Sequence, residues 1–173
     1  MTTVSTKSSY ILDANVLIDY FNSDLSILGL FCEHIGNLFV ATPVLDEVEQ
    51  LDNDDLSQFG IEIVEPDIEL LIEAAALHGA LSFQDWICIR SAKEKSWTCV
   101  TNDRTLRKAC KHEGIKLCWG LELMIHLVNA GKLERIKAAE VANQMHKSNP
   151  RFLRKEVIED FNTKIGLVTR IKK

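Results

Sequence analysis

The chain has 173 residues, a formal net charge of −5 at pH 7 and 46% hydrophobic residues. This length is ordinary for one domain, and the balanced composition excludes a disordered or fibrous protein. The five cysteines include no C-x-x-C pair. Their pattern argues against a disulfide framework or a zinc ribbon and favours free thiols. Free thiols indicate a reducing compartment, so a cytoplasmic protein is expected. No apolar run is long enough to span a membrane.

Charge is distributed unevenly along the chain. Residues 1–85 contain sixteen of the 25 acidic residues but a single base, Lys7, whereas residues 86–173 contain the other nineteen Lys and Arg residues. Such an asymmetry is typical of an acidic metal site beside a basic surface. A chance imbalance that folding mixes together would give the same numbers, so the asymmetry alone leaves both interpretations open.

Short apolar runs alternate with longer helical patterns. Strands are predicted over residues 10–12, 38–41, 61–64, 97–101 and 115–118. Helices are predicted over residues 14–22, 25–35, 42–51, 67–79, 82–95, 104–113, 121–130, 133–147 and 152–161, with a polar break at 53–55. This alternation predicts an α/β fold in which helices cover both faces of a parallel sheet.

Four acidic residues occupy similar local positions. Asp13 and Asp103 each follow a predicted strand, Asp85 lies in the first turn of its helix, and Glu47 lies one turn into the helix after the second strand. Ligands bind beyond the carboxyl ends of parallel strands, so all four are candidates for one rim of the sheet. A divalent cation relieves the repulsion between clustered carboxylates, and hard oxygen ligands suit Mg²⁺ or Mn²⁺.

A simpler interpretation exists for each acid alone, because Asp and Glu are favoured at helix N-termini. Asp85 follows Ser82 at the spacing of a capping box. Glu47 is predicted at the edge of an apolar helix face, where a buried carboxylate needs a partner. Asp19 and Asp46, which lie near these acids in the sequence, are predicted to be solvated, and Asn102 is predicted to be a helix cap.

Four segments resemble, in order, the motifs of PIN-domain ribonucleases: residues 11–19 (ILDANVLID), 42–48 (TPVLDEV), 82–87 (SFQDWI) and 101–106 (TNDRTL). Each motif is weak alone, but the order and spacing together are specific. The resemblance covers residues 9–131 and implies a three-layer α/β/α sandwich with a central parallel sheet. Outside the matched part, the polar residues 1–8 are predicted to be a flexible leader, and residues 132–173 a helical C-terminal extension packed on the same domain.

The resemblance also implies a metal-dependent endoribonuclease. Asp13, Asp85 and Asp103 would ligate one or two Mg²⁺ or Mn²⁺ ions directly, and Glu47 would ligate a metal directly or through water, or orient the nucleophile. Hydrogen bonds to these carboxylates are expected from two residues, Asn15 and Thr101, although Asn15 is equally explained as a helix-start residue. RNA phosphates are expected to contact four bases at helical spacing: Arg104, Arg107, Lys108 and Lys111.

Many compact bacterial members of this family are toxins of VapBC-type toxin–antitoxin pairs, so the resemblance implies a small antitoxin and a homodimer as partners besides RNA. Two alternatives stay open: an RNA-processing or RNA-decay nuclease without an antitoxin, and a catalytically silent binding module. A signalling receiver domain is disfavoured. Leu12 stands before Asp13, where a receiver has a second acid, and Trp119 follows the last strand, where a receiver has Lys.

Overall fold

The computed structural model describes residues 7–167, whose strands form a single five-stranded sheet. All neighbouring strands in it are parallel, and their order is β3-β2-β1-β4-β5. The strands are β1 (Ser8–Leu12), β2 (Gly36–Ala41), β3 (Glu62–Val64), β4 (Thr98–Val100) and β5 (Leu117–Cys118). The predicted α/β class and parallel sheet are therefore confirmed.

Ten helices connect or follow these strands within residues 7–167. Those before β4 are α1 (Ala14–Phe21), α2 (Ser26–His34), α3 (Thr42–Leu45), α4 (Asn53–Ser57), α5 (Ile68–Ala76) and α6 (Phe83–Lys95). Those after it are α7 (Arg104–His112), α8 (Glu122–Asn129), α9 (Arg135–Ser148) and α10 (Lys155–Lys164).

The strand order reverses at the centre of the sheet. The chain moves outward from β1 to β2 and β3, then returns to place β4 on the other side of β1 and continues outward to β5. Because crossovers between parallel strands are right-handed, the two directions of travel put helices on opposite faces of the sheet. The result is the predicted three-layer α/β/α sandwich. The crevice between the carboxyl ends of β1 and β4 is the switch point where such folds bind ligands.

The central strands lie in the core, and close packing fixes their neighbours. Ile11 and Leu12 at the end of β1 are fully buried, which places the residue after them at the upper edge of the core. At the start of β2, a Cβ on Gly36 would lie 2.7 Å from the Ser8 carbonyl oxygen and 2.7 Å from the Tyr10 ring. Glycine is therefore required where β2 crosses Tyr10.

The helix predicted over residues 42–51 is wrong, because α3 ends at Leu45 and turns follow it. The amides of Val48 and Leu51 donate to the carbonyls three residues earlier, those of Leu45 and Val48. Successive turns of this kind still bury the apolar residues that suggested a longer helix. The negative side chains in this segment would also interact unfavourably with the dipole at the C-terminus of a longer helix. Glu47 consequently lies beyond α3 rather than within a helix.

Two further predictions differ from the structure. The polar break predicted at 53–55 is wrong, because residues Asn53–Ser57 form α4, capped by a reciprocal pair of hydrogen bonds between Asp52 and Asp55. The helix predicted over 67–79 ends at Ala76. In the last part of the chain, α9 packs against α1 and α8, and α10 packs against α9. At the N-terminus, β1 already begins at Ser8, and residues 1–6 of the predicted leader lie outside the described residues.

Candidate acidic site

The four predicted acids line one cavity of about 350 Å³. Asp13 comes from the end of β1, Asp103 from the end of the adjacent strand β4, Asp85 from the first turn of α6 and Glu47 from the turn after α3. These segments are far apart in sequence, and the strand order brings them to the same edge of the sheet. The cavity therefore lies at the carboxyl ends of the strands, as the sequence predicted.

Asp13 is the most deeply buried of the four, with 4% of its surface exposed. It is the N-cap of α1, and its Oδ1 accepts a hydrogen bond of 2.8 Å from the Val16 amide. Its Oδ2 accepts a short hydrogen bond from the Thr101 hydroxyl. Asp13 therefore has a fixed orientation in which both carboxylate oxygens accept protein hydrogen bonds.

Asp85 and Asp103 are each held through one oxygen only. Asp85 Oδ2 accepts from the Ser82 amide at 2.9 Å, while the Ser82 hydroxyl accepts from the Asp85 amide at 3.1 Å, which completes the predicted capping box. Asp103 is the N-cap of α7, and its Oδ1 accepts from the Leu106 amide at 2.8 Å. Within residues 7–167, the second oxygen of each carboxylate accepts no hydrogen bond.

Glu47 is the least constrained acid. The residue is exposed, and among the described residues its carboxylate accepts no hydrogen bond. Partial burial of the carboxylate in the cavity raises the pKa of Glu47, and the nearby negative charge of Asp85 raises it further. Glu47 therefore lies close enough to Asp85 for the two carboxylates to repel each other, and it remains accessible to solvent.

Burial and mutual repulsion dominate the electrostatics. Burial raises the pKa of Asp13 to about 7 from an ordinary value of 3.8. The hydrogen bonds from Thr101 and Val16 oppose this shift, while the negative charges of Asp85 and Asp19 add to it. The fully buried thiol of Cys88 also lines the cavity, and its pKa is raised by desolvation and by the negative charges of Asp13, Asp85 and Glu47. A concentration of negative charge with no cation beside it is unfavourable.

The sequence profile of a family described as PIN domain matches residues 9–166. The chain belongs to the PIN-domain family. The matched region includes α9 and α10, and so extends past residue 131, where the recognisable motifs end. The fold of PIN domains is typically that of a nuclease, and these domains generally use divalent metals.

A solved structure supports the same fold. A PilT N-terminus domain protein from the hyperthermophilic archaeon Sulfolobus solfataricus P2 superposes with a TM-score of 0.51 and 14% sequence identity. The alignment covers 73% of this chain and 94% of that protein. No curated protein matches the chain in sequence. Among residues 7–167, none of the helices is both long enough and apolar enough to cross a membrane.

The donors of this PIN domain fit a hard divalent cation by their chemistry. Four carboxylates around one cavity supply only oxygen ligands, which Mg²⁺ and Mn²⁺ prefer. In the part of the chain that the structure describes, however, no three His, Cys, Asp or Glu side chains are arranged to hold a metal ion. Asp13, Asp85 and Asp103 instead each direct one oxygen to a backbone amide. An ion in this cavity would be held by Asp13 together with the second oxygens of Asp85 and Asp103.

The predicted supporting residues differ in their contacts. Thr101 is fully buried, and its Oγ1 both donates to Asp13 and accepts a 3.0 Å hydrogen bond from the Asp103 amide. It thus connects two of the four acids. Asn15 lines the cavity but is exposed, and within residues 7–167 its side chain makes no hydrogen bond.

The four predicted RNA-binding residues do not form one set. The exposed ones are Arg104, Lys108 and Lys111. Arg107 is half-buried, its guanidinium lies 3.5 Å from the centre of the Trp119 ring, and its Nη1 donates to the Thr101 carbonyl at 3.2 Å. Arg107 therefore supports the strand end that carries Thr101.

Sequence reasoning missed a buried acid beside the site. The prediction of a solvated Asp19 is wrong, because only 3% of its surface is exposed. The prediction of a capping role for Asn102 is also wrong, because Asn102 is buried and Asp103 caps α7. A signal was present for Asp19. It follows Val16 by three positions and therefore lies on the apolar face of α1.

Proposed function

We propose that this PIN domain is a Mg²⁺- or Mn²⁺-dependent endoribonuclease that hydrolyses RNA phosphodiester bonds. The observation that carries the proposal is the convergence of Asp13, Glu47, Asp85 and Asp103 on one cavity at the β1–β4 switch point. Hydrolysis of a phosphodiester requires an activated water and a counter-charge for the phosphoryl oxygens. Carboxylates in a cavity open to solvent can supply the ligands for that counter-charge.

The residues have distinct roles in this proposal. Asp13, Asp85 and Asp103 would hold one or two ions, which when bound lower the pKa of water and neutralise phosphate charge. Thr101 keeps the Asp13 carboxylate in one orientation through its hydroxyl. Glu47, exposed and with a raised pKa, is suited to orient the attacking water and to accept its proton.

Substrate binding is assigned to the exposed face of α7. Arg104, Lys108 and Lys111 recur at helical spacing on this helix, which begins directly after Asp103. Phosphates flanking the bond to be cut could contact these cations while the scissile phosphate enters the cavity. Binding of this kind weakens steeply as salt concentration rises.

Cleavage of labelled RNA in Mn²⁺, Mg²⁺ or EDTA tests this function. Wild type should cut with either ion and not in EDTA, and Asp13→Asn and Glu47→Gln should abolish cutting. Asp46→Asn is the matched control, because it removes the exposed carboxylate next to Glu47 without touching the cavity. If Glu47→Gln retains full activity while Asp46→Asn loses it, the assignment of the site is wrong. Mn²⁺ binding without cleavage of any RNA would support the silent binding module instead.

A toxin of a type II pair is the more specific form of this proposal, and a processing or decay nuclease without an antitoxin is the alternative. Expression of wild type alone should arrest growth if it is a toxin, and Asp13→Asn should relieve the arrest. Absence of arrest despite active protein would favour the processing enzyme. In either case we place the reaction in the cytoplasm, where the five free thiols stay reduced.

A homodimer is also proposed. Ile68 and Ile72 lie one turn apart on α5, and both are more than 60% exposed. Large exposed apolar residues on one helix face are characteristic of association surfaces. Light scattering should give the mass of a dimer for wild type and of a monomer for the variant Ile68→Lys with Ile72→Lys. A wild-type monomer would refute the dimer without affecting the nuclease proposal.

A further inference from the structure

The buried carboxylate of Asp19 connects the acidic site to the C-terminal helices. Its Oδ2 accepts a 3.2 Å hydrogen bond from Asn102 Nδ2, and its Oδ1 accepts a 2.9 Å hydrogen bond from Asn149 Nδ2. A buried carboxylate needs such donors, because desolvation without them is costly. The two donors come from different segments of the chain. Asn102 precedes Asp103, whereas Asn149 is the C-cap of α9.

Asn102 can satisfy its hydrogen bonds in one orientation only. Its Oδ1 accepts a 3.0 Å hydrogen bond from the Gly120 amide, so its Nδ2 must face an acceptor. Both carboxylate oxygens of Asp19 act as acceptors in this arrangement, one for each amide. The Tyr20 hydroxyl donates to the Gly120 carbonyl at 2.7 Å and holds the same turn from the other side. Removing the acceptor at Asp19 would leave a buried amide of Asn102 unpaired.

The segment held in this way carries part of the acidic site. Asn102 lies between Thr101, which donates to Asp13, and Asp103, whose amide donates back to Thr101. We propose that Asn149 is a positioning residue that orders residues 101–103 through Asp19 and Asn102. The C-terminal helices would then be part of the assembly of the catalytic centre. This inference rests on the proposed function only for its catalytic consequence, since the ordering itself can be measured without RNA.

Truncation of the Asn149 side chain should disrupt this network at one of the two donors to Asp19. Asn149→Ala leaves Asp19 Oδ1 buried and without its donor, so the carboxylate turns toward water and weakens its bond to Asn102. The segment 101–103 then samples more conformations. Supporting hydrogen bonds of this kind typically change metal affinity or activity by about 10- to 100-fold. Asn149 acts on the metal-ligating residues only through Asp19 and Asn102. We therefore expect Asn149→Ala to lower metal affinity or activity by about 10-fold, the lower end of that range.

Amide hydrogen exchange, measured by NMR in EDTA, tests the ordering directly. The reporters are the amides of Gly120 and Asp103, which donate to Asn102 and Thr101. Asn149→Ala should accelerate exchange at both by about 10-fold, which corresponds to a loss of about 1.4 kcal/mol in local opening free energy. His146→Ala is the matched control. It removes a contact to the Leu153 carbonyl in the same α9–α10 turn but lies outside the network.

A rescue separates positioning from general stability. The double variant Asp19→Asn with Asn149→Asp swaps the two side chains. The side-chain oxygen at position 19 can still accept from Asn102, and the side-chain amide at position 19 can donate to the carboxylate at position 149. The double variant should restore slow exchange, whereas Asp19→Asn alone should not fully do so. If Asn149→Ala does not fold, Asn149→Gln, which displaces the amide by one methylene, replaces it. Unchanged exchange in the Asn149 variant, or equal acceleration by His146→Ala at matched loss of melting temperature, would overturn the inference.

Mn²⁺ titration and RNA cleavage on the same proteins distinguish the two proposals. Faster exchange together with weaker Mn²⁺ binding in Asn149→Ala supports positioning of the metal ligands. Faster exchange in a protein whose wild type cuts no RNA would refute the nuclease while the positioning stands. Normal exchange and normal cleavage in Asn149→Ala would refute the positioning while the nuclease stands.

Discussion

Asp13 should make the metal-free protein less stable as pH rises. Its pKa is about 7 in the folded chain and 3.8 ordinarily, because burial disfavours its charged form. Between these values the folded state retains a proton that the unfolded state has released, so the free energy of unfolding falls as pH increases. A shift of this size corresponds to about 4 kcal/mol in total, of which about 2–3 kcal/mol is lost between pH 5 and pH 8.

Asp13→Asn removes this titration. In EDTA, the melting temperature of the variant relative to wild type should therefore rise by about 5–10 °C between pH 5 and pH 8. The other acids with raised pKa values, Glu47 and Asp19, remain in both proteins, so the effect of their own burial is common to the two pH profiles. Differential scanning fluorimetry at fixed ionic strength measures the effect. Excess Mn²⁺ at pH 8 should raise the melting temperature of wild type but not that of Asp13→Asn.

Asp67→Asn provides the matched control. Asp67 caps α5 through the Leu70 amide just as Asp13 caps α1, but it is exposed and outside the cavity. Its substitution should shift stability by a similar small amount at both pH values. Parallel pH profiles for wild type and Asp13→Asn in EDTA would refute the reasoning, since they would mean that burial does not raise the pKa of Asp13.

Variants at four further positions test separate contacts. Thr101→Val should lower the free energy of unfolding by about 1–3 kcal/mol, because two hydrogen-bond partners lose the hydroxyl, and Thr101→Ser should restore most of it in urea denaturation. Lys108→Ala should weaken RNA binding and reduce its salt slope by about one without changing the melting temperature. Arg107→Ala should instead lower the melting temperature, because it loses Trp119 and the Thr101 carbonyl. Gly36→Ala should destabilise by about 1–3 kcal/mol in the same denaturation assay, because its Cβ meets the backbone of β1.

Local pattern predicted most of the fold and the position of the acids. A short apolar run followed by an acid, as at Asp13 and Asp103, indicates a buried strand that ends at the rim of the sheet, and both acids lie there. The capping box at Ser82 was recognisable because its two partners are three residues apart. Features decided within one turn of chain are therefore well predicted from sequence.

Features that depend on tertiary contacts were not predicted from the sequence. The apolar spacing around Val48 fits a continuous helix, yet the chain buries the same residues by turns after Leu45. The spacing of Arg107 places it on a basic helix face, but its guanidinium packs against the ring of Trp119, which comes from another segment of the chain. Asp19 needs donors that lie 83 and 130 residues away. Sequence spacing contains no information about such partners.

An acidic residue can both cap a helix and ligate a metal ion. The burial of its carboxylate indicates whether it has a role besides capping. Asp67 shows that a helix can be capped by an aspartate at the surface, where the carboxylate keeps its water. Asp13 makes the same hydrogen bond while buried and facing other acids, which disfavours its charged form without improving the cap. Such a cost is characteristic of functional sites, and a bound cation would reverse it.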